Sequence, residues 1–211
     1  MKESDIKSFV LLLLSTILLA QPYPYFTHKE LKQLQTINPI ATNRILDYKR
    51  TLSRCKKLSK TEQLKRINFY CNNYLPGYDA IIDKTDDYWE TPKEFLKIGY
   101  GDCEDYAIIK YYSLINLGFK KEKLFLTVVK ENASRNYHMV LSYFQKPHHA
   151  PMILDNLSFK ILPLSKRIDL QAVFFINAFG VYKMNKNMQL IKIANRYKNF
   201  TKLEQKVASN Q

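Results

Sequence analysis

One cysteine of this chain is predicted to lie in the first turn of a helix, a position at which a thiol can act as a nucleophile. Residues 99–112 read G-Y-G-D-C-E-D-Y-A-I-I-K-Y-Y. Two glycines permit a tight turn before Asp102, a favourable N-cap residue, and apolar residues then recur at roughly helical spacing as far as Gly118. The N–H groups of the first turn and the positive end of the helix dipole favour a thiolate there. We therefore predict that Cys103 is a reactive cysteine.

Two later residues are candidate partners for this thiol, although each residue also has a simpler interpretation. A free cysteine is more often a small buried apolar group than a nucleophile. His138 lies in the strand-like run Y-H-M-V-L-S-Y-F, whose alternation places the imidazole on the face opposite Met139. Asp155 ends the apolar run M-I-L-D-N, where a carboxylate either forms a turn with Asn156 or orients a histidine. For Asp155 taken alone, the turn is the better interpretation.

The elements that must position these residues indicate an α+β fold. Helices are predicted over 43–58 and 62–75, and further helix starts lie at T-H-K-E (27–30), S-K-T-E (59–62) and T-P-K-E (91–94). Strands are predicted near 124–130, 137–145, 151–155, 172–177 and 180–184. Their short connections suit an antiparallel sheet, and the helix that begins at Cys103 is expected to pack on it below a helical N-terminal portion.

Residues 1–20 are predicted to be a signal peptide or an N-terminal membrane anchor. Residues 9–20 form a largely apolar run that is short for a membrane span and suits the core of a secretory signal. Acidic residues offset the positive charge of the N-terminal lysines, and Leu18 interrupts the small-residue pattern that a signal peptidase recognises. An uncleaved anchor is therefore the alternative to a cleaved signal peptide. The remaining length suits one hydrophobic core. We expect one domain over 21–194 and a basic tail over 195–211 that is flexible or forms a loose helix.

Basic side chains dominate two parts of the chain, whose formal net charge is +14. Residues 29–66 contain eleven Lys or Arg against three acidic residues, and residues 183–206 contain seven against one. Such surfaces can contact nucleic acid, anionic lipid or an acidic protein, but most basic side chains simply face solvent. The sequence has no basic motif interleaved with aromatic residues, and export would remove the usual nucleic-acid targets. We therefore expect no nucleic-acid partner.

The segment 79–105 has the opposite character, with nine Asp or Glu against three Lys. Carboxylate oxygens are hard ligands of the kind that calcium prefers, in flexible geometry. The spacing is not that of an EF-hand, so the pattern alone is weak evidence for a metal site and a solvated acidic surface is the default interpretation.

Cys55 and Cys71 form a candidate disulfide that would leave Cys103 as the single free thiol of an exported protein. A helical hairpin that turns near residue 59 places Cys55 opposite about residue 62, roughly 13 Å from Cys71 along the helix axis. A disulfide requires Cα atoms within about 7 Å of each other. We therefore expect Cys55 and Cys71 not to be bonded.

Five short motifs occur in an order that resembles a known family. They are D-Y-W-E-T-P (87–92), G-D-C-E-D-Y (101–106), H-M-V-L (138–141), I-L-D-N-L (153–157) and I-L-P-L-S-K-R-I-D-L-Q-A-V-F (161–174). Together they resemble the LapG-type bacterial transglutaminase-like cysteine proteinases over about residues 62–183. The shared order makes the resemblance specific, whereas a cysteine, a histidine and an aspartate alone would not be.

The resemblance implies a papain/transglutaminase-like fold with a catalytic triad of Cys103, His138 and Asp155. The thiolate would attack a peptide carbonyl, the histidine would carry the proton to the leaving amine, and the aspartate would fix the imidazole tautomer. The backbone N–H of Cys103 is expected to be one oxyanion donor, and Trp89 is a candidate for the second.

The resemblance also implies calcium, a cellular location and two partners. The acidic residues that bind calcium in the family match Asp102 and Glu104, and Asp105 is a further candidate ligand. Without a cation, these three carboxylates would oppose ionisation of Cys103. The family's enzymes act in the periplasm, where they cleave a large LapA-like surface adhesin near its N-terminus, after a pair of alanines, and so release biofilm. A LapD-like inner-membrane receptor for cyclic di-GMP sequesters the protease when biofilm is favoured.

Three other functions remain open at this level. A transglutaminase or amidase would use the same three residues on a glutamine side chain. A binding module of the same fold would make them dispensable. A nucleic-acid binder would depend on the basic helices and would show steep salt dependence.

Overall fold

The computed structural model describes residues 22–77 and 88–210. The predicted leader lies outside the described residues, and so does the first part of the acidic segment, residues 79–87. Within the described ranges, no helix is long and apolar enough to cross a membrane.

The described helices form most of the N-terminal half, and the strands follow. The helices are α1 (His28–Ile37), α2 (Pro39–Cys55), α3 (Lys60–Cys71), α4 (Pro92–Ile98), α5 (Cys103–Asn116) and α6 (Lys198–Ser209). The strands are β1 (Leu75–Pro76), β2 (Tyr100–Gly101), β3 (Leu124–Glu131), β4 (Tyr137–Tyr143), β5 (Met152–Asp155), β6 (Ser158–Pro163), β7 (Leu170–Asn177), β8 (Gly180–Met184) and β9 (Leu190–Ala194).

Strands β3 to β9 form a seven-stranded sheet in the order β6-β5-β4-β3-β7-β8-β9. Every neighbouring pair in it is antiparallel. Strands β1 and β2 form a separate two-stranded parallel pair just before α5. The structure therefore confirms the predicted α+β class with an antiparallel sheet.

Helix α5 is the centre of the molecule, because it packs on β3, β4 and β5 with one side and on α3 and α4 with the other. Ile108, Ile109 and Leu114 are fully buried in the main hydrophobic core that this packing creates. Each such aliphatic side chain contributes roughly 1.5–3 kcal/mol to stability by leaving water. This burial fixes the start of α5, and therefore Cys103, relative to the sheet.

Several predicted boundaries differ from the structure. The first two long helices begin earlier than predicted and end at Cys55 and Cys71. The capping box predicted at residues 59–62 is only half formed: Ser59 Oγ accepts the N–H of Glu62, while the Glu62 carboxylate pairs with Lys65 at 2.8 Å. Strands β6 and β9 were not predicted.

The predicted tail over 195–211 contains a helix, α6, at residues 198–209. Phe200, Leu203 and Val207 follow a helical spacing and are buried in the main core. The Lys206 ammonium donates to the carbonyl oxygen of Trp89. Helix α6 therefore packs onto the domain and holds the chain just before α4.

All three cysteines lie in the described part of the chain, and all three are free thiols. Cys55 and Cys71 are fully buried at the ends of α2 and α3. No disulfide joins Cys55 to Cys71 in the described part of the structure.

Candidate active site

The turn that precedes α5 depends on two glycines. Gly99 ends α4 with φ +91°, in the left-handed region that favours glycine. Gly101 has no room for a side chain, because a Cβ there would lie 2.6 Å from Asp105 Oδ2. The tight approach predicted for this turn is therefore present, and it ends at Asp102, the N-cap of α5.

Cys103 is the first residue of α5, and its thiol is surrounded mainly by groups that disfavour the thiolate. Sγ lies 3.1 Å from Glu104 Oε2, to which the thiol donates a hydrogen bond. Burial and then the negative charge of Glu104 raise the pKa of Cys103, while the backbone N–H of Met139 acts in the opposite direction by donating to the sulfur. Burial and the neighbouring carboxylates therefore oppose formation of the thiolate at this position, although it lies in the first turn of a helix.

His138 and Asp155 form a direct pair on two adjacent strands. The distance between His138 Nε2 and Asp155 Oδ1 is 2.8 Å, and both side chains are buried. His138 lies in β4 opposite Val129 of β3, while Asp155 is the last residue of β5. Since Nε2 is engaged by the carboxylate, Nδ1 is the ring nitrogen left to exchange a proton with a substrate or a thiol.

Asp155 fulfils both interpretations that its sequence left open. Its Oδ1 also accepts the backbone N–H of Leu157 at 2.9 Å, so the carboxylate closes the turn between β5 and β6 while it holds His138. Burial opposes ionisation of Asp155, but hydrogen bonds from His138, Leu157 and Arg167 outweigh it and lower the pKa of the carboxyl group. Asp155 therefore stays an ionised acceptor throughout the neutral range.

Arg167 is a residue of this site that the sequence analysis missed. Its Nη2 lies 2.7 Å from Asp155 Oδ2, and its Nε and Nη2 also contact the carboxylate of Asp169. The signal for it was the pair of opposite charges, Arg167 and Asp169, in the motif of residues 161–174. No local pattern shows that this segment lies against Asp155, because the contact depends on the sheet.

The three predicted metal ligands lie together at the start of α5 but have different surroundings. Asp105 is buried, and its Oδ1 accepts the N–H of Glu90 at 2.8 Å. Burial and the negative charges of Glu90, Asp102 and Glu104 raise the pKa of Asp105. Among the described residues, no three Asp, Glu, His or Cys side chains already surround one point as metal ligands would. Four carboxylates thus lie close together without forming a closed metal site, and Lys206 is a cation that acts on two of them, Asp105 and Glu90.

Cys103 and His138 line one cavity of about 400 Å³. Its apolar walls come from the sheet, with Val128 and Phe174 among them, and from Tyr197, which precedes α6. Trp89 is buried and stacks on Tyr197 with ring centroids 5.7 Å apart, as expected for a tryptophan beside this site. A larger cavity of about 670 Å³ involves α2 and α3 and includes none of the predicted catalytic residues.

A family model described as bacterial transglutaminase-like cysteine proteinase matches residues 47–168 of the chain. The matched segment contains all six predicted site residues and ends just after Arg167. No curated protein matches the chain.

Solved structures of LapG from Legionella pneumophila are similar to the chain. LapG is 32% identical, with a TM-score of 0.73, and the match covers 91% of this chain and 100% of the solved one. Calcium-bound LapG is 31% identical, with a TM-score of 0.71 and coverage of 86% and 99%. EGTA-treated LapG is 30% identical, with a TM-score of 0.71 and coverage of 86% and 97%.

Proposed function

Because the chain belongs to the family of bacterial transglutaminase-like cysteine proteinases, we propose that it is a calcium-dependent cysteine endopeptidase with Cys103 as its nucleophile. The observation that carries this proposal is the 2.8 Å contact between His138 Nε2 and Asp155 Oδ1, beside the cavity that also contains Cys103. A histidine oriented by a buried carboxylate next to a helix-mouth cysteine has the parts that acyl transfer requires.

Each residue of the proposed triad has a separate task. His138 Nδ1 takes the proton from the thiol and later donates it to the leaving amine, while Nε2 stays hydrogen bonded to Asp155. Asp155 keeps the imidazole in one orientation and stabilises the imidazolium that forms. The backbone N–H of Cys103, at the start of α5, is the proposed donor to the oxyanion of the tetrahedral intermediate. Water then releases the acyl group from Cys103.

We propose that Asp102, Glu104 and Asp105 hold the calcium ion. Their oxygens are ligands that calcium prefers, and the four carboxylates of Glu90, Asp102, Glu104 and Asp105 are concentrated at the start of α5. Bound calcium supplies the positive charge that offsets these carboxylates beside the nucleophile. The Glu104 carboxylate, which accepts a hydrogen bond from the thiol, would be one of the groups that hold the ion. Two of the similar structures, calcium-bound and EGTA-treated LapG, support the choice of metal.

The proposed substrate is a large surface adhesin, cut near its N-terminus after a pair of alanines. The motifs that resemble the LapG-type family are the basis for this substrate, for the release of biofilm as the outcome, and for an inner-membrane cyclic di-GMP receptor as the regulator. These proposals place the enzyme in the periplasm, exported by residues 1–20 as a cleaved signal or an anchor. Cell fractionation with N-terminal sequencing tests the location, and recovery of an intact N-terminus in the cytoplasm would contradict it.

The direct test of the activity is cleavage of a purified N-terminal adhesin segment from the same organism in the presence of calcium. We expect the wild type and Cys55→Ala to cleave it. Cys55 lies at the end of α2 and does not line the cavity that contains Cys103. We expect Cys103→Ala to be folded and inactive. Full cleavage by Cys103→Ala would contradict the proposal.

The same assay distinguishes a protease from a transglutaminase. An added primary amine competes with water for an acyl-enzyme, and its incorporation into glutamine side chains without chain cleavage would indicate the amidase or transglutaminase alternative. We expect two peptide fragments and no labelled glutamine.

A further inference from the structure

Arg167 lies directly behind the proposed triad and joins it to an exposed carboxylate. Its side chain is buried, and its Nη2 contacts Asp155 Oδ2 at 2.7 Å and Asp169 Oδ2 at 2.6 Å. Its Nε donates to both oxygens of Asp169, at 2.9 and 3.1 Å. The guanidinium is thus held by a two-oxygen contact with Asp169, while one nitrogen remains directed at Asp155.

These contacts use both oxygens of Asp155. Oδ1 accepts from His138 and from the Leu157 N–H, and Oδ2 accepts from Arg167. A carboxylate that accepts hydrogen bonds at both oxygens cannot rotate about its Cβ–Cγ bond without breaking a charge-assisted hydrogen bond. The direction in which Asp155 presents Oδ1 to the imidazole is therefore set partly by Arg167.

The charged groups around Asp155 come from three parts of the fold. His138 approaches from β4, Lys110 from α5, and Arg167 with Asp169 from the segment between β6 and β7. Of these groups, Arg167 is the permanent cation that hydrogen bonds to the carboxylate. Lys110 acts on Asp155 by its charge alone.

We propose that Arg167 is a positioning residue, which keeps Asp155 ionised and aimed at His138 Nε2 so that the imidazole retains one tautomer. The inference rests on the proposed triad, but it concerns a contact that the triad itself does not include. Arg167 touches neither the thiol nor the cavity that contains it. Its effect on catalysis would therefore pass through Asp155 and His138.

Three variants separate positioning from a purely structural ion pair. Arg167→Met removes both the charge and the donors. Arg167→Lys keeps the charge but replaces the planar fork by a single nitrogen, which cannot contact Asp155 and Asp169 in the same way. Lys166→Met is the matched control, because it removes the neighbouring exposed cation.

The first measurement is the pH dependence of peptide cleavage at saturating calcium. For Arg167→Met we expect kcat to fall about 10- to 100-fold, the range seen when a supporting contact of a functional ligand is lost, with KM within about 2-fold of the wild-type value. Loss of the adjacent cation also removes positive charge beside the Asp155–His138 pair and so makes the pair easier to protonate, and the acid limb of kcat/KM should move up by about one pH unit or more. In Arg167→Lys the acid limb should lie between its positions in the wild type and in Arg167→Met, while kcat should stay below the wild-type value. Lys166→Met should match the wild type in both.

The second measurement requires no substrate. In protein with ¹⁵N-labelled histidine, the His138 resonances, assigned with His138→Gln, should report protonated Nε2 in the neutral ring of the wild type. In Arg167→Met we expect a mixture of tautomers whose proportions change with pH. If this change occurs in a protein that cleaves no peptide, the positioning role stands and the proposed protease function fails.

A structural ion pair alone would lower the amount of folded protein without moving the acid limb or the tautomer. Folded Arg167→Met with wild-type kcat, acid limb and His138 spectrum would overturn the proposal. If that variant does not fold, wild-type values for all three properties in Arg167→Lys would overturn it, while a reduced kcat with an altered spectrum would support it.

Discussion

At the scale of single residues, the site depends on the balance between buried charges of opposite sign. Asp155 is surrounded by donors and stays ionised, whereas Asp105 is surrounded by other acids, which raise its pKa. Cys103 lines the same cavity as His138, and its thiol donates a hydrogen bond to Glu104. The same residue type therefore serves as an orienting anion in one position and as a candidate cation ligand in the other.

The cost of a buried charge can be tested at Lys110 through the free energy of unfolding of the protein. This residue lies about two turns after Cys103 in α5 and is fully buried. Burial lowers its pKa to about 8, against the favourable charges of Cys71 and Asp155. Because the folded state loses this proton more readily than the unfolded chain, stability should rise with pH between about 8 and the ordinary lysine pKa near 10.4.

We expect Lys110→Met to be more stable than the wild type at pH 7, by on the order of 1–3 kcal/mol, since the buried methionine carries no charge. The difference should shrink steadily from about pH 8 to pH 10. Urea unfolding at a series of pH values measures it, with the exposed Lys120→Met as control. A difference that does not change with pH would show that the charge of Lys110 is fully compensated in the folded protein.

At the scale of elements, the start of α5 combines the turn, the nucleophile and the proposed metal ligands. Much of this could be predicted from sequence, because glycine, N-cap and apolar spacing are local signals. The position of Arg167 could not, since only the pairing of β5 with its neighbours brings residues 155 and 167 together. Helix α6 had a readable signal in the spacing of Phe200, Leu203 and Val207, but the polar composition of the segment obscured it.

Calcium should bind at the start of α5 and should act on the rate more than on substrate affinity. We expect a calcium-selective chelator to abolish cleavage and added calcium to restore it, with magnesium a poor substitute because it demands tighter octahedral geometry. Isothermal titration should show at least a tenfold loss of calcium affinity when Asp102→Ala is combined with Glu104→Ala, since a hard cation loses two charged ligands.

The matched control for calcium binding is Asp47→Ala combined with Glu62→Ala, which removes two acids from α2 and α3. Its calcium affinity should equal that of the wild type. Wild-type affinity in the Asp102 and Glu104 double variant would show instead that these acids only cap the helix and face solvent.

At the scale of the whole molecule, the C-terminal helix packs beside the site. Helix α6 buries its apolar face in the main core, and Lys206 reaches the Trp89 carbonyl and lies 3.7 Å from Glu94 Oε2. Tyr197, at the start of α6, forms one wall of the cavity that contains Cys103. The basic C-terminal residues therefore complete the domain instead of extending from it.

The packing of α6 predicts a large effect for one buried side chain. Leu203 is fully buried, so Leu203→Ala should lower the free energy of unfolding by about 2–5 kcal/mol. The exposed neighbour Lys202→Ala should change it by no more than about 0.5 kcal/mol. Denaturant unfolding measures both values, and a small effect of Leu203→Ala would indicate that α6 does not contribute to the cooperative core.

The central claim, that Cys103 is a nucleophile activated by His138, is tested most directly by a peptide chloromethyl ketone ending in two alanines. Mass spectrometry of the calcium-loaded protein should find a single adduct, on Cys103, because Cys55 and Cys71 are buried. In His138→Ala the labelling rate should fall about 100-fold or more, as expected when a general base is removed. Labelling of Cys55 or Cys71 in preference to Cys103, or an unchanged rate in His138→Ala, would contradict this account.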